Sequence, residues 1–282
     1  EHAGRRARAE RAPRAAACAA ALRRAFQVPL AEEERDPRAV LDALADAAEP
    51  GLMGNTGANF YGWVMGASSP VGMAADLLTT VWGQNAAIYQ TSPAAAIAEE
   101  AVAQWLLELL ELPRESSVGF TTGATMASFI GLAAARTEVL RRHGWDLEAD
   151  GLAGAPAVHV LIGAEAHTSV LSVLRQLGFG ERNLVRIAAD GEGRMQAERL
   201  ADALAARDGP TIVVAQAGHI NSGAFDPLAR IAAAARRHGV WLHVDGAFGL
   251  WARSSPALRA LCAGAEDADS WAVDGHKWLQ LP

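Results

Sequence analysis

The stretch TIVVAQAGHINSGAFDPLARIAAAARRHGVWLHVD (211–245) contains two apolar runs separated by a helical pattern. Residues 211–217 and 240–245 are rich in valine and other apolar residues, which is typical of strands buried on both faces. Residues 226–239 predict a helix with Asp226 as its N-cap, a proline in its first turn and a glycine just beyond its end. A strand, a helix and a second strand in this order favour a right-handed crossover between parallel strands.

The same alternation of strand and helix patterns continues on both sides of this unit. Because fully apolar strands need helices on both faces, the pattern predicts an α/β fold with a mostly parallel sheet flanked by helices. The helix at 94–112 is apolar along most of its length, and we expect it to be buried. Further strands are predicted at 157–162, 184–187 and 270–273, and further helices from about 123 to 143, at 168–178 and at 195–207.

Composition excludes several classes of protein. Hydrophobic residues make up 51% of the 282 residues, enough for a sizeable core, and the net charge of −7 does not favour nucleic acid or an anionic membrane as a partner. No apolar run reaches the roughly 18 residues needed to cross a bilayer. Cys18 and Cys262 are too far apart in the sequence for a disulfide framework or a zinc cluster, so we expect reduced thiols, a cytoplasmic location and no metal.

Polar residues follow four of the predicted strands. Asp245 ends one strand, Lys277 and His167 come shortly after two others, and Asn221 follows the strand at 211–217. Ligands of parallel sheets bind outside the carboxyl ends of the strands, so these side chains are candidates for a single site.

Each candidate also has a structural interpretation. Asp245 is costly to bury unless it has a positive partner, but it could simply cap a turn. Lys277 would be a usable nucleophile if desolvated, or an ordinary surface lysine. Lysine is rare in this sequence while arginine is common, which favours a chemical use for Lys277. His167 alone is equally typical of a hydrogen-bonded structural histidine.

The segment GFTTGATMASF (119–129) places a glycine-containing turn before a helix. Free amide groups at a helix start bind anions, although glycine and threonine also simply cap helices. A phosphate site, a carboxylate for a ring nitrogen, an imidazole for one ring face, and an amine for an aldehyde match the requirements of pyridoxal 5'-phosphate.

Five motifs then resemble, in order and spacing, the group II pyridoxal-phosphate-dependent amino-acid decarboxylases, which include the aromatic-amino-acid and glutamate decarboxylases. They are GFTTGATMASFIGLAAAR, EAHTSV, AGHINSGAFDPL, HVDGAFGLW and DSWAVDGHKWL. The resemblance runs from about residue 50 to the end, and it implies the large domain of a fold-type I enzyme.

The resemblance implies a role for each matching residue. Lys277 would form the Schiff base with the cofactor, and Asp245 would pair with its ring nitrogen. His167 would stack on the ring and help to place the substrate, while Ala247 would pack below the ring. The phosphate would be held by Gly123, Ala124 and Thr125 with help from His276, and Asn221 would lie near the cofactor.

The implied function is decarboxylation of an L-amino acid to the amine and carbon dioxide by a homodimer. Other fold-type I enzymes, such as an aldehyde lyase or an aminotransferase, share the Asp and Lys, and a truncated chain without activity is a third alternative. The substrate is not indicated. Tyr61 and Trp63, in NFYGWVMG (59–66), are candidates for a side-chain pocket or ordinary core aromatics.

We expect residues 1–90 to form a helical segment with loops on the substrate side, and residues 91–282 to form the cofactor-binding large domain. Family members continue beyond the lysine motif with the rest of that domain, a mobile catalytic loop and a small C-terminal domain. This sequence ends at Pro282, so we expect a truncated chain without the small domain.

Overall fold

The computed structural model describes residues 11–57 and 60–281, and it divides the chain into two compact units, Glu1–Ser68 and Ser69–Pro282. This boundary comes earlier than the division at residue 91 predicted from the sequence. In the described part of the first unit, helices α1 (Ala19–Phe26) and α2 (Pro37–Ala48) are followed by a 3₁₀ turn. The predicted candidates Tyr61 and Trp63 lie in this unit and are exposed.

The second unit contains a five-stranded parallel sheet in the order β2-β1-β3-β4-β5. This confirms the α/β prediction of a parallel sheet flanked by helices. The strands are β1 (His159–Gly163), β2 (Leu184–Ile187), β3 (Thr211–Gln216), β4 (Trp241–Asp245) and β5 (Ser270–Ala272). The helices are α3 (Pro70–Trp82), α4 (Pro93–Leu109), α5 (Ala124–Arg142), α6 (Leu147–Asp150), α7 (Thr168–Gln176), α8 (Ala197–Ala205), α9 (Leu228–His238) and α10 (Gly275–Leu279).

Alternate strand residues pack into two separate cores on opposite faces of the sheet. On β4, Leu242 and Val244 belong to the core that contains α8 and α9. Ile162 on β1 and Val214 on β3 belong to the other core, which contains buried residues of α5 and α7. Side chains alternate along a strand, so His243 and Asp245 of β4 point to the face covered by α5.

Two sequence predictions about helices are wrong. Asp226 does not cap α9, because the helix begins after Pro227 and the Asp226 carboxylate binds two amides elsewhere. Helix α4 is not buried. Within Pro93–Leu109 only Leu107 is buried, and Trp105 is 67% exposed, because most of the apolar surface of this helix lies outside the core that contains Leu107.

The chain after β4 is held by a buried arginine. Arg253 donates hydrogen bonds to the carbonyls of Leu110, Glu111 and Cys262, and it pairs with Glu266. It therefore fixes the end of α4 to the segment between β4 and β5. Cys262 is fully buried there, and burial raises the pKa of its thiol to about 11.

Among the described residues, no helix combines the length and the apolar character that crossing a membrane requires.

Candidate active site

Asp245 and Gln216 mark the centre of the candidate site, at the carboxyl edge of the sheet. They are the last residues of β4 and β3, and they are paired across the two strands. Two backbone hydrogen bonds, between Ala217 N and Asp245 O and between Gly246 N and Ala272 O, continue the sheet just beyond Asp245. The backbone that carries the carboxylate is therefore fixed on both sides.

The Asp245 carboxylate is buried with little compensation. Its Oδ1 accepts one hydrogen bond, from Ala247 N at 3.2 Å. Burial raises the pKa of this carboxyl, opposed by that hydrogen bond and by electrostatic interaction with His167 and Lys277. These two side chains therefore lie within electrostatic reach of Asp245. A buried carboxylate with unused acceptor positions calls for a further cationic or N–H partner.

His167 is oriented by contacts on both its backbone and its ring. It is the N-cap of α7, where its Nδ1 accepts from Ser169 N at 3.3 Å and bonds Ser169 Oγ at 2.7 Å. Its own amide donates to Gln216 Oε1 at 3.2 Å. Because Nδ1 is the acceptor, the hydrogen of the neutral ring lies on Nε2. The ring is half-buried, so one part of it is available to a ligand.

Lys277 is placed by two tryptophans that tie α10 to neighbouring segments. Trp278 Nε1 donates to Phe248 O at 2.6 Å, just after β4, and Trp251 Nε1 donates to Asp274 O at 2.9 Å. These bonds hold the backbone on both sides of the half-buried Lys277 close to the end of β4. It is also the only lysine in the sequence.

The start of α5 is a suitable anion site. Gly123 precedes the helix with φ 151° and ψ 167°, a conformation that side-chain-bearing residues rarely adopt, and it offers no side-chain cap. The first amides of the helix, including those of Ala124 and Thr125, have no partner within the helix. Free amides and the helix dipole together favour a phosphate.

Two predicted residues take a less central position. His276 is exposed, and its Nδ1 bonds Leu281 O at 2.6 Å. Asn221 is exposed, and its backbone amide donates to His219 Nδ1 at 3.3 Å. In the described ranges, neither side chain is hydrogen-bonded to Asp245, His167 or Lys277. Ala247 is half-buried and holds Asp245 through its amide.

A polar network beneath Asp245 was not predicted from the sequence. Asp226 accepts from Met195 N at 2.7 Å through Oδ1 and from Gln216 N at 2.8 Å through Oδ2. A cavity of about 10 Å³, room for about one water, lies between Asp226, Asp245 and Gln216, with Glu165 at its edge. Gln216 could have been found, because it ends a buried strand just as Asp245 does.

Similarity to known proteins identifies the family to which this chain belongs. The family model of the pyridoxal-dependent decarboxylase conserved domain matches residues 21–282, so the chain belongs to this family. Pyridoxal phosphate is the family's cofactor.

Among curated relatives, L-2,4-diaminobutyrate decarboxylase of Rhizobium meliloti is 37% identical over 74% of this chain and 41% of its own length. Aromatic-L-amino-acid decarboxylase of Sus scrofa is 31% identical over 87% of this chain and 53% of its own length. The chain thus spans about half or less of the length of these two relatives.

Solved structures agree with the family assignment. The glutamate decarboxylase domain of a diaminobutyrate-pyruvate transaminase and L-2,4-diaminobutyrate decarboxylase from Vibrio parahaemolyticus matches with a TM-score of 0.90 and 25% identity, over 99% of this chain and 62% of that one. Oryza sativa TDC, solved with PLP, matches with a TM-score of 0.81 and 25% identity, over 95% of this chain and 59% of that one.

Proposed function

We propose that this chain forms the cofactor-binding core of an amino-acid decarboxylase, which converts an L-amino acid to its amine and carbon dioxide with pyridoxal phosphate. The observation that carries the proposal is the buried Asp245 carboxylate, held by one amide and within electrostatic reach of both Lys277 and His167. Family membership supports the reaction class.

The residues present fit the ring nitrogen, the phosphate and the aldehyde of the cofactor. Asp245 has acceptor positions left for a protonated ring nitrogen, and the uncapped start of α5 has amides left for the phosphate. Lys277 supplies an amine for the aldehyde, and the half-buried His167 ring supplies a flat surface. When bound, the cofactor supplies a sink for the electrons of the bond that breaks.

Asp245 would hold a proton at the ring nitrogen. The value of this contact grows as negative charge moves onto the ring, so it stabilises the transition state more than the bound substrate. Lys277 would hold the cofactor through its side-chain amine. His167, with Nδ1 fixed by Ser169, would keep the ring plane in place.

Reductive trapping tests the assignment of Lys277. Borohydride should fix one pyridoxyl phosphate per chain on this residue, because it is the only lysine. The Lys277→Ala protein should lose both the visible absorbance band of the lysine-bound cofactor and the trapped adduct. Arg230→Gln, an exposed change on α9, serves as the control and should retain both.

An adduct on the chain's α-amino group, or a visible band that survives in Lys277→Ala, would remove Lys277 from its role. Product analysis then tests the reaction. Amine and carbon dioxide support decarboxylation, a keto acid indicates an aminotransferase, and cofactor binding without product indicates a chain that is not catalytic by itself.

The substrate stays open, because the relatives act on different amino acids. Their names specify diaminobutyrate, acidic amino acids, tryptophan and aromatic amino acids. A panel containing one amino acid of each kind is the direct assay.

We infer that a second copy of this chain covers the exposed apolar helices. Val81 and Trp82 of α3 are 73% and 64% exposed, and Ile97 and Trp105 of α4 are 51% and 67% exposed. Apolar exposure on this scale is unusual for a monomer and typical of an interface. A homodimer is also what the resemblance to the decarboxylases implies.

Light scattering coupled to gel filtration tests the dimer. The wild-type chain should have the mass of two copies, and Trp82→Asp or Trp105→Asp should give monomers. Arg199→Ser, an exposed change on α8, should stay dimeric. A wild-type monomer at micromolar concentration contradicts the proposal.

The free thiols Cys18 and Cys262 support a cytoplasmic location, which fractionation of the source cells would test.

A further inference from the structure

His243 is a fully buried histidine on the strand that carries Asp245, two residues before it and on the same face of the sheet. Its Nδ1 bonds Ser270 Oγ at 2.8 Å on the neighbouring strand, and Ser270 Oγ also accepts from Trp241 Nε1 at 2.9 Å. Its Nε2 has no partner among the described atoms. Burial lowers the pKa of His243 to about 4, so the ring is neutral at physiological pH.

The ring lies directly against Gly131 of α5. A Cβ atom on Gly131 would be 2.9 Å from His243 Cε1, 3.0 Å from His243 Nδ1 and 3.4 Å from Ser270 Oγ. Gly131 lies within the helix, so backbone conformation does not require glycine there. The requirement is space, because the helix backbone rests on the imidazole.

This contact connects two groups that the cofactor needs. Gly131 is seven residues from Ala124, and at a rise of 1.5 Å per residue the two are about 10 Å apart along a rigid helix. A displacement at Gly131 is therefore passed to the amides at the helix start. Asp245 stands on the same strand as His243, so the ring sets the spacing between these amides and the carboxylate.

We propose that His243, held by Ser270, is a positioning residue for the cofactor phosphate. It fixes the start of α5 relative to Asp245, so that one ligand can reach both. This inference rests on the proposed function, since it concerns the site for pyridoxal phosphate. It adds a residue that would touch neither the substrate nor the cofactor.

The test compares two ligands that differ only in the phosphate. Dissociation constants for pyridoxal phosphate and for pyridoxal are measured from the visible band at Lys277, in the full chain. Gly131→Ala should weaken pyridoxal phosphate at least tenfold and pyridoxal by less than twofold, although Ala favours a helix more than Gly. His243→Ala should give a smaller loss in the same direction.

A double variant tests whether the two residues act through their contact. In the double variant Gly131→Ala with His243→Ala, the new methyl group enters the volume left by the ring. The ratio of the pyridoxal to the pyridoxal phosphate dissociation constant should therefore be higher than in Gly131→Ala alone. If the two residues act independently, the fold-losses of the two single variants multiply in the double variant.

Two controls separate positioning from general destabilisation. Ala134→Ser, on the exposed side of α5, should leave both dissociation constants unchanged. Leu132→Ala removes a buried side chain of α5, and should lower the unfolding temperature without changing the ratio of the two constants.

The outcomes distinguish this inference from the proposed function. Equal losses for both ligands, or no loss, in Gly131→Ala and His243→Ala would overturn the positioning role while wild-type binding upholds the cofactor assignment. A wild-type protein that forms the visible band with neither ligand overturns the proposed function, and the positioning role with it.

Discussion

Asp245 and Asp226 are chemically identical groups that border the same small cavity at the carboxyl edge of the sheet. Both are buried, and burial raises the pKa of both. Asp226 uses both oxygens on amides, at 2.7 and 2.8 Å, whereas Asp245 accepts one amide at 3.2 Å. A buried carboxylate whose two oxygens both accept backbone amides stabilises the fold. A buried carboxylate with unused acceptor positions is available to a ligand.

The largest expected effect concerns turnover in Asp245→Asn. A neutral amide cannot hold the ring nitrogen in its protonated form, so we expect kcat/KM for decarboxylation to fall by at least ~100-fold, or about 3 kcal/mol of transition-state stabilisation. Steady-state carbon dioxide release from the cofactor-loaded protein measures this.

The same substitution should not weaken the cofactor-free fold, because it removes a poorly compensated buried charge. Urea unfolding of Asp245→Asn checks this. Undiminished turnover, or a marked loss of stability, in Asp245→Asn would contradict the proposed difference between a functional Asp245 and a structural Asp226.

Asp226→Asn should have the opposite profile. Its side-chain NH₂ would face one of the two amides that the carboxylate now accepts, which leaves a buried N–H unpaired. We expect a loss of about 2 to 3 kcal/mol in the free energy of unfolding. Urea denaturation measures it, and turnover per folded molecule should change much less than in Asp245→Asn. A variant as stable as wild type would contradict the structural role of Asp226.

The pH dependence of stability provides a finer comparison. An acid with a higher pKa in the folded chain binds its proton more tightly there, so acidification through the raised pKa, down to the usual 3.8, favours folding. In the cofactor-free protein, wild type should therefore gain stability relative to either Asn variant as the pH falls through this window.

Saturating pyridoxal phosphate should abolish the pH-dependent difference at Asp245, because a cationic ring partner lowers the pKa of this carboxyl. The pH-dependent difference in stability between wild type and Asp226→Asn should persist when the cofactor is bound. Unfolding curves at several pH values, with and without cofactor, measure both, and a difference at Asp245 that survives cofactor binding would argue against the ring-nitrogen contact.

The smallest effect is expected at Glu165, a third carboxylate at the edge of the cavity. Its Oε2 lies 3.4 Å from His219 Nε2, but its side chain is 53% exposed. Polar contacts that solvent reaches contribute little, so Glu165→Gln should change the free energy of unfolding by less than about 0.5 kcal/mol. A loss as large as that of Asp226→Asn would show that burial is not what separates the three carboxylates.

Much of the fold follows from local pattern. The strand–helix–strand unit at 211–245 was predictable because apolar runs, a proline near a helix start and a glycine at its end are all local signals. Asp245, His167 and Lys277 could be predicted to converge because parallel strands place their carboxyl ends at one edge. In the structure, His167 and Lys277 each lie within electrostatic reach of Asp245, and their common site stays a prediction.

What sequence could not predict depends on long-range packing. Asp226 at a proline is typical of a helix cap, and nothing local shows that its oxygens bind amides 10 and 31 residues away in sequence. Gly131 likewise carries no local sign that a histidine ring 112 residues later occupies the space above it, since 243 − 131 = 112. Helix α4 was expected to be buried because an apolar helix has the same pattern whether its own chain or another surface covers it.

The buried thiol of Cys262 can report local unfolding of the segment in which it lies. With its pKa raised to about 11 and no exposed surface, it should react with an alkylating reagent only through transient unfolding, while the exposed Cys18 reacts at once. The slow phase of labelling therefore measures how often the segment clamped by Arg253 comes apart, without added denaturant.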